Sequence, residues 1–128
     1  MSQLKTSSQG LKITIAFLFA IFSLASLSGC TSAAAFEASK VTAIIDVRTV
    51  DEFNAGHLEG AVNMDVEATT FAEQISTLDK AGNYVLYCHS GRRAGLALDQ
   101  MTSAGFSNLT NAGGLDEAAS YTGLAVVQ

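Results

Sequence analysis

Cations, cysteines and large rings are scarce in this chain of 128 residues, which has seven Lys and Arg, two Cys, no Trp and no Pro. Set against 12 Asp and Glu, so few positive charges give a net charge of −5 at neutral pH. That balance argues against nucleic acid and against electrostatic attachment to anionic lipid. Without proline, the turns fall to glycine, asparagine and aspartate. No metal and no cofactor is expected from two cysteines and two histidines. Internal repeats are missing. So is a long apolar run: Ile13 to Leu27 is bulky and uncharged, but shorter than the roughly 20 residues a spanning helix needs.

Lys5 and Lys12 precede that run and small residues follow it, the pattern of a secretory signal. Leu27-Ser28-Gly29-Cys30 resembles the bacterial lipobox, whose cysteine is lipidated and becomes the first mature residue. The plainer alternative is an ordinary signal peptide with an incidental Cys30. The expectation is a lipoprotein signal peptide over 1–29, a lipid on Cys30, and export to a bacterial membrane with the domain facing the periplasm. Cleavage there leaves five Lys and Arg against all 12 acidic residues, a net charge of −7. Residues 30–40 are small and polar and read as a tether, able to fray into a short helix. Residues 41–128 read as the domain.

Within the domain, Val41 to Val47 is the first strand. Thr49 with Glu52 three residues on forms a capping box for a short helix to about Ala55. Gly56 to Gly60 is a turn, Ala61 to Met64 a short strand, and Phe71 to Leu78 a helix by the spacing of Phe71, Ile75 and Leu78. Tyr84 to Cys88 is apolar and bounded by turn formers, as in a buried strand of a parallel sheet. Ala94, Ala97, Leu98 and Met101 then show helical spacing up to Gly105, with Phe106 placed for a left-handed cap. Leu109 to Asn111 is a last strand, Ala112-Gly113-Gly114 a turn, and Leu115 to Tyr121 a last helix. Strands alternating with helices predict an α/β domain, a parallel sheet with helices on both faces.

Cys88 falls where the Tyr84 strand hands over to the helix after Gly91. Backbone N–H groups and the positive end of a helix dipole at such a junction favour a thiolate and an anionic ligand. Two of the few cations, Arg92 and Arg93, follow directly, expected exposed at the helix start. That concentration of positive charge in an acidic domain suggests a small anionic substrate. With Cys30 acylated, Cys88 is the sole free thiol and no intramolecular disulfide can form. A buried, inert core cysteine is the competing interpretation.

Asp46-Val47-Arg48, Glu52-Phe53 and Gly56-His57-Leu58-Glu59-Gly60-Ala61-Val62-Asn63 resemble the rhodanese pattern DVR…EF…GHIPGAIN. The Cys88 loop and Asn111-Ala112-Gly113-Gly114-Leu115 match the same family in order and spacing, over about residues 41 to 118. The Trp-free ending and Arg92 at the fifth loop position resemble the small periplasmic rhodaneses of the phage-shock operon. The chain departs from the family pattern at Glu59 and Asp65, where many members have proline, and at Ala118, where many have tryptophan. Counting from Cys88, Arg93 is the sixth loop position. Six positions mark the family's sulfurtransferases, and seven its phosphatase relatives. The resemblance implies a thiosulfate-type sulfurtransferase. Cys88 would take the outer sulfur of thiosulfate as a persulfide and pass it to cyanide or a thiol. Arg92 and Arg93 would hold the sulfonate, the amides of His89, Ser90, Gly91, Arg92 and Arg93 would stabilise the persulfide, and His89 would be available for proton transfer. Asp46, Arg48 and His57 read as scaffold. The alternative is a persulfide carrier for a partner protein with little activity on free cyanide.

Overall fold

The computed structural model describes residues 35–128. The expected signal peptide over 1–29, Cys30 and the first tether residues lie outside the described residues. Strand β1 (Ala43–Asp46) leads into helix α1 (Val50–Ala55), then the two-residue strands β2 (His57–Leu58) and β3 (Val62–Asn63). Helix α2 (Phe71–Ser76), strand β4 (Asn83–Cys88) and helix α3 (Arg92–Ser103) follow. Strand β5 (Asn108–Gly114), helix α4 (Leu115–Thr122) and strand β6 (Val126–Val127) complete the order. Four strands form a parallel sheet in the order β3-β1-β4-β5, and β2 pairs with β6 as a small antiparallel sheet.

β4 organises both cores. Side chains alternate across a strand, so Tyr84, Leu86 and Cys88 point to one face, with Ile45 and Val47 of the β1 region beside them. There they meet Phe71 and Ile75 of α2 and Ala94, Ala97 and Met101 of α3. Val85 and Tyr87 point the other way, onto Ile44, Leu58 and Ala118 of α4. Helices thus cover both faces of a parallel sheet, which is why β4 reads as an unbroken apolar run. Cys88 belongs to the α2/α3 core by this parity, and its sulfur ends up beneath the start of α3.

Local signals hold where the chain contacts itself nearby. Thr49 Oγ1 accepts the Glu52 N–H, and the Glu52 carboxylate accepts the Thr49 N–H, completing the capping box. Gly105, at φ +99°, ends α3, and the Phe106 N–H donates to the Met101 carbonyl at 3.1 Å. Phe106 then packs edge-on against Tyr84, 5.7 Å between ring centroids.

Three expectations shift. The last part of the tether is ordered on the domain: Ala38–Lys40 forms a 3₁₀ turn, and Phe36 packs on Tyr121 at 5.5 Å. Ala112 to Gly114 continues β5 instead of turning, with a register shift opposite Leu86 to Cys88. Strands β2 and β6 escaped the sequence reading, because two residues are too few to show a period and their partners lie far apart in sequence.

Leu86, with no exposed surface, and Leu96, 44% exposed, separate core from surface. Urea titration of Leu86→Ala is expected to show a loss of about 2–5 kcal/mol. Leu96→Ala is expected to stay within about 0.5 kcal/mol of the parent.

Candidate active site

The parallel sheet ends β4 at Cys88, and α3 must begin four residues later, so His89, Ser90 and Gly91 reverse the chain in a very short space. Gly91 makes the turn with φ +83°, a conformation that side-chain-bearing residues rarely adopt. A Cβ there would also stand 3.3 Å from Gly113 Cα. At Gly114 the fit is tighter still, since a Cβ would meet the His89 carbonyl oxygen at 2.5 Å. The end of β5 therefore lies directly under the loop backbone. Asn111 pins that contact: its Nδ2 donates to the Gly91 carbonyl at 3.0 Å, while its Oδ1 accepts the Gly113 N–H at 2.9 Å.

The result is a ring of N–H groups around a sulfur. The Gly91 N–H donates to Cys88 Sγ at 3.0 Å. Burial pushes the Cys88 thiol pKa up, but the N–H groups of Ala94, Ser90, Gly91 and Arg93 pull it down further, and the net pKa lies below the ordinary value. The thiolate is the nucleophilic form, so this is the electrostatics of a reactive cysteine. An inert core cysteine has no such set of donors.

The two arginines have different positions. Arg92 is exposed and makes no ion pair with any described residue. Arg93 is not exposed as expected: its side chain is only 14% accessible. Its guanidinium forms a two-pronged pair with Glu52, at 2.7 and 2.8 Å, with Glu67 at 3.7 Å. The sixth loop position is thus spent on tying α3 to α1. The capping-box spacing marked Glu52 as a cap, but a local spacing carries no information on a partner 41 residues away. The roles of Asn111 and Glu67 likewise left no local signal.

Arg48 and Asp46 form the scaffold expected of them. Asp46 is fully buried and accepts from Arg48 Nε and Nη2, the latter at 2.6 Å, and Nη2 also donates to the Gly56 carbonyl. His57 stacks on Phe53 at 3.7 Å with Nδ1 2.9 Å from the Phe53 carbonyl, a structural role at the start of β2. Arg48, His89, Ser90 and the residues from Gly114 to Glu117 line a cavity of about 490 Å³. Among the described residues no cluster of His, Cys, Asp and Glu is suited to a metal. Cys88, His89, Ser90, Gly91, Arg92 and Arg93 lie in one loop and helix start, while Cys30 lies outside the described residues.

The Glu52–Arg93 pair has a pH signature. Its hydrogen bonds with Arg93 hold the Glu52 carboxyl down at about 2, from an ordinary 4.5. A carboxyl with a depressed folded-state pKa adds stability above its unfolded pKa and loses it as pH falls through the folded value. Glu52→Gln keeps an oxygen for the cap but removes the charge. Thermal melts from pH 6 to 2 are therefore expected to fall more steeply below about pH 4.5 for the parent than for Glu52→Gln, so that the two curves converge in acid.

The rhodanese-like domain family matches residues 32–120. A curated relative from Escherichia coli strain K12, thiosulfate sulfurtransferase PspE, is 34% identical over 77 residues, covering 59% of this chain and 72% of the relative. Thiosulfate sulfurtransferase 18 of Arabidopsis thaliana is 37% identical over 82 residues, covering 55% of this chain and 60% of that protein. A solved E. coli structure described as a rhodanese with anions aligns with a TM-score of 0.57 and 28% identity, across 67% of this chain and 96% of the other. The match runs through most of the sequence and takes in the amide-ringed thiol, so the chain belongs to the rhodanese-like domain family.

Proposed function

We propose that this protein is a thiosulfate-type sulfurtransferase working through a persulfide on Cys88. The observation that carries the reading is the buried sulfur facing the N–H groups of Ser90, Gly91, Arg93 and Ala94, with its pKa lowered. In the first step the Cys88 thiolate attacks the outer sulfur of thiosulfate. The S–S bond of thiosulfate breaks and sulfite leaves with the bonding pair. In the second step an acceptor nucleophile, cyanide or a thiolate, attacks the outer persulfide sulfur, and Cys88 departs as a thiolate. The same amides favour thiolate and persulfide anion alike, so neither step needs the loop to rearrange. No group in the cycle changes net charge in a way that requires a metal or an external oxidant.

Three things support thiosulfate as donor: the loop's cationic edge at Arg92, the six-position loop, and the sulfurtransferases among the relatives. The solved relative described as holding anions fits an anion-binding loop. Arg92 is assigned the sulfonate contact, because Arg93 is already engaged by Glu52. The proposal includes lipid attachment at Cys30 and a periplasmic location, which rest on Leu27-Ser28-Gly29-Cys30.

Intact-mass measurement tests the core of this reading. The parent incubated with thiosulfate is expected to gain one sulfur atom, removed by cyanide as thiocyanate, and the mature protein to carry a lipid on its first residue. Its Cys88 is expected to alkylate with a midpoint below the roughly 8.5 of a free cysteine. Cys88→Ser is expected to fold normally and form no thiocyanate. Undiminished thiocyanate from that variant rules out the covalent route, and a mature form with unmodified Cys30 rules out the anchor.

Steady-state kinetics separate the arginines. Arg92→Ala is expected to raise KM for thiosulfate by about tenfold, the loss of one charge-assisted contact, with little change in melting temperature. Arg93→Ala is expected to lower the melting temperature and kcat together, since it leaves Glu52 without its partner. Equal KM effects in both, with neither destabilised, would contradict the division of roles.

A further inference from the structure

The sheet is parallel, so β1, β4 and β5 all start at one pole of the domain, and Cys88 lies at the other. Several segments are tied together at the starting pole. Asn83 Nδ2 donates to the Lys40 carbonyl at 3.0 Å, and Asn108 Nδ2 donates to the Ala81 carbonyl at 3.2 Å. Lys80 lies over the end of α3, since a Cβ at Gly105 would stand 3.5 Å from its Cδ. The end of α4 reaches the same pole, where Phe36 meets Tyr121, and Ala35, Phe36, Lys40, Asn83 and Tyr121 border one recess of about 240 Å³. Both lysines of the described residues are therefore here, whereas Arg48 follows the end of β1 and Arg92 and Arg93 follow the end of β4. Residues 35–42, 79–83, 104–108 and 121–123 make up this pole, and their only charged side chains, Glu37, Lys40, Asp79 and Lys80, cancel. The other described residues set three arginines against ten carboxylates, a net charge of −7.

The chain also enters the domain at this pole. Four residues, Thr31 to Ala34, separate Cys30 from Ala35, and a fully extended stretch from 30 to 35 spans at most about 18 Å. A lipid on Cys30 thus keeps the domain close to the bilayer, and the distribution of charge decides which pole faces it. An anionic surface repels the acidic remainder of the domain and not the neutral pole. Lys80 is exposed and in no ion pair with the described residues, and Lys40, paired with Glu37 at 2.6 Å, keeps 72% of its side chain accessible. Tyr121, 44% exposed, adds an amphipathic ring of the kind that settles at a membrane–water interface. We propose that this pole, with Lys40, Lys80 and Tyr121, is a docking surface for an anionic bilayer and turns the Cys88 loop toward the aqueous side. The inference rests on the lipid attachment at Cys30 proposed above. The six residues of β4 put about 17 Å between Asn83 and Cys88, roughly twice the screening length at physiological salt. An anionic sulfur donor then reaches Arg92 without crossing the negative potential of the lipid surface.

Two measurements test the surface, both on the mature, lipid-bearing protein in vesicles of phosphatidylglycerol and phosphatidylethanolamine. The first needs no substitution, because Lys40 and Lys80 are the only lysines beyond Lys12 and Cys88 is the only cysteine beyond Cys30. On vesicles both lysines are expected to react with a water-soluble acetylating reagent about fivefold more slowly than in detergent, the scale set by the attraction of one lysine to an anionic surface. Alkylation of Cys88 is expected to keep its rate. The second exploits the lack of tryptophan in the chain. Tyr121→Trp keeps a ring against Phe36, and Val50→Trp places a reporter on α1, at a position 57% exposed just past the end of β1. With nitroxide-bearing lipid headgroups in the vesicles, the Tyr121→Trp protein is expected to lose most of its fluorescence and the Val50→Trp protein to lose none. Acetylation at the detergent rate, or equal quenching of the two variants, overturns the docking surface while flotation with the vesicles keeps the anchor standing. Protein that stays out of the vesicle fraction with an unmodified Cys30 overturns anchor and surface together, and thiosulfate–cyanide turnover still decides the sulfurtransferase reading by itself.

Discussion

Burying a sulfur that must carry negative charge is the demand around which this domain is arranged. Desolvation alone would hold Cys88 protonated and inert. The remedy is local and geometric: N–H groups from Ser90, Gly91, Arg93 and Ala94 converge on one atom. That convergence needs a left-handed residue at Gly91 and a loop pressed against a strand end with no side chains. Gly113 and Gly114 supply that strand end, and the irregular β4–β5 pairing near Cys88 brings it into place. Asn111 then joins the strand to the loop at two points. Remove any of these and the amides no longer point at the sulfur.

Charge is rationed in the same region. Of the three arginines near the loop, Arg48 is matched by Asp46 and Arg93 by Glu52, which leaves Arg92 as the cation without a carboxylate among the described residues. The acidic surplus of the domain thus reaches into its most positive corner. Two guanidinium groups hold elements together there, Arg48 joining β1 to the Gly56 turn and Arg93 joining α3 to α1. A buried pair of this kind costs desolvation, and its merit is fixed geometry more than raw stability.

How much of this the sequence disclosed follows from range. The Thr49–Glu52 capping box, the Gly105 stop and the apolar run of β4 depend on neighbours within a few residues, and each appears where it was expected. The parallel sheet and the position of Cys88 followed from them. The β2–β6 pair depends on residues some 70 positions apart, and Glu52–Arg93 on residues 41 apart. No window along the chain contains both partners. The resemblance to a family marked which glycines mattered, but the reason, a carbonyl at 2.5 Å from any Cβ at Gly114, exists only in three dimensions.

The double use of Glu52 has a consequence for the order in which the chain assembles. Helix α1 has six residues, well below the length at which an isolated helix persists in water. Its capping box is local and can form early, but the carboxylate that completes the box is also the one that grips Arg93. The helix therefore acquires its last restraint only when α3 has packed on the sheet. Folding of the two helices is coupled through a single side chain, and the nucleophile's loop lies on the later side of that coupling. The amides that lower the Cys88 pKa gather around its sulfur only in the closed core, so the tuned thiol is a property of the folded domain and not of the sequence stretch around it.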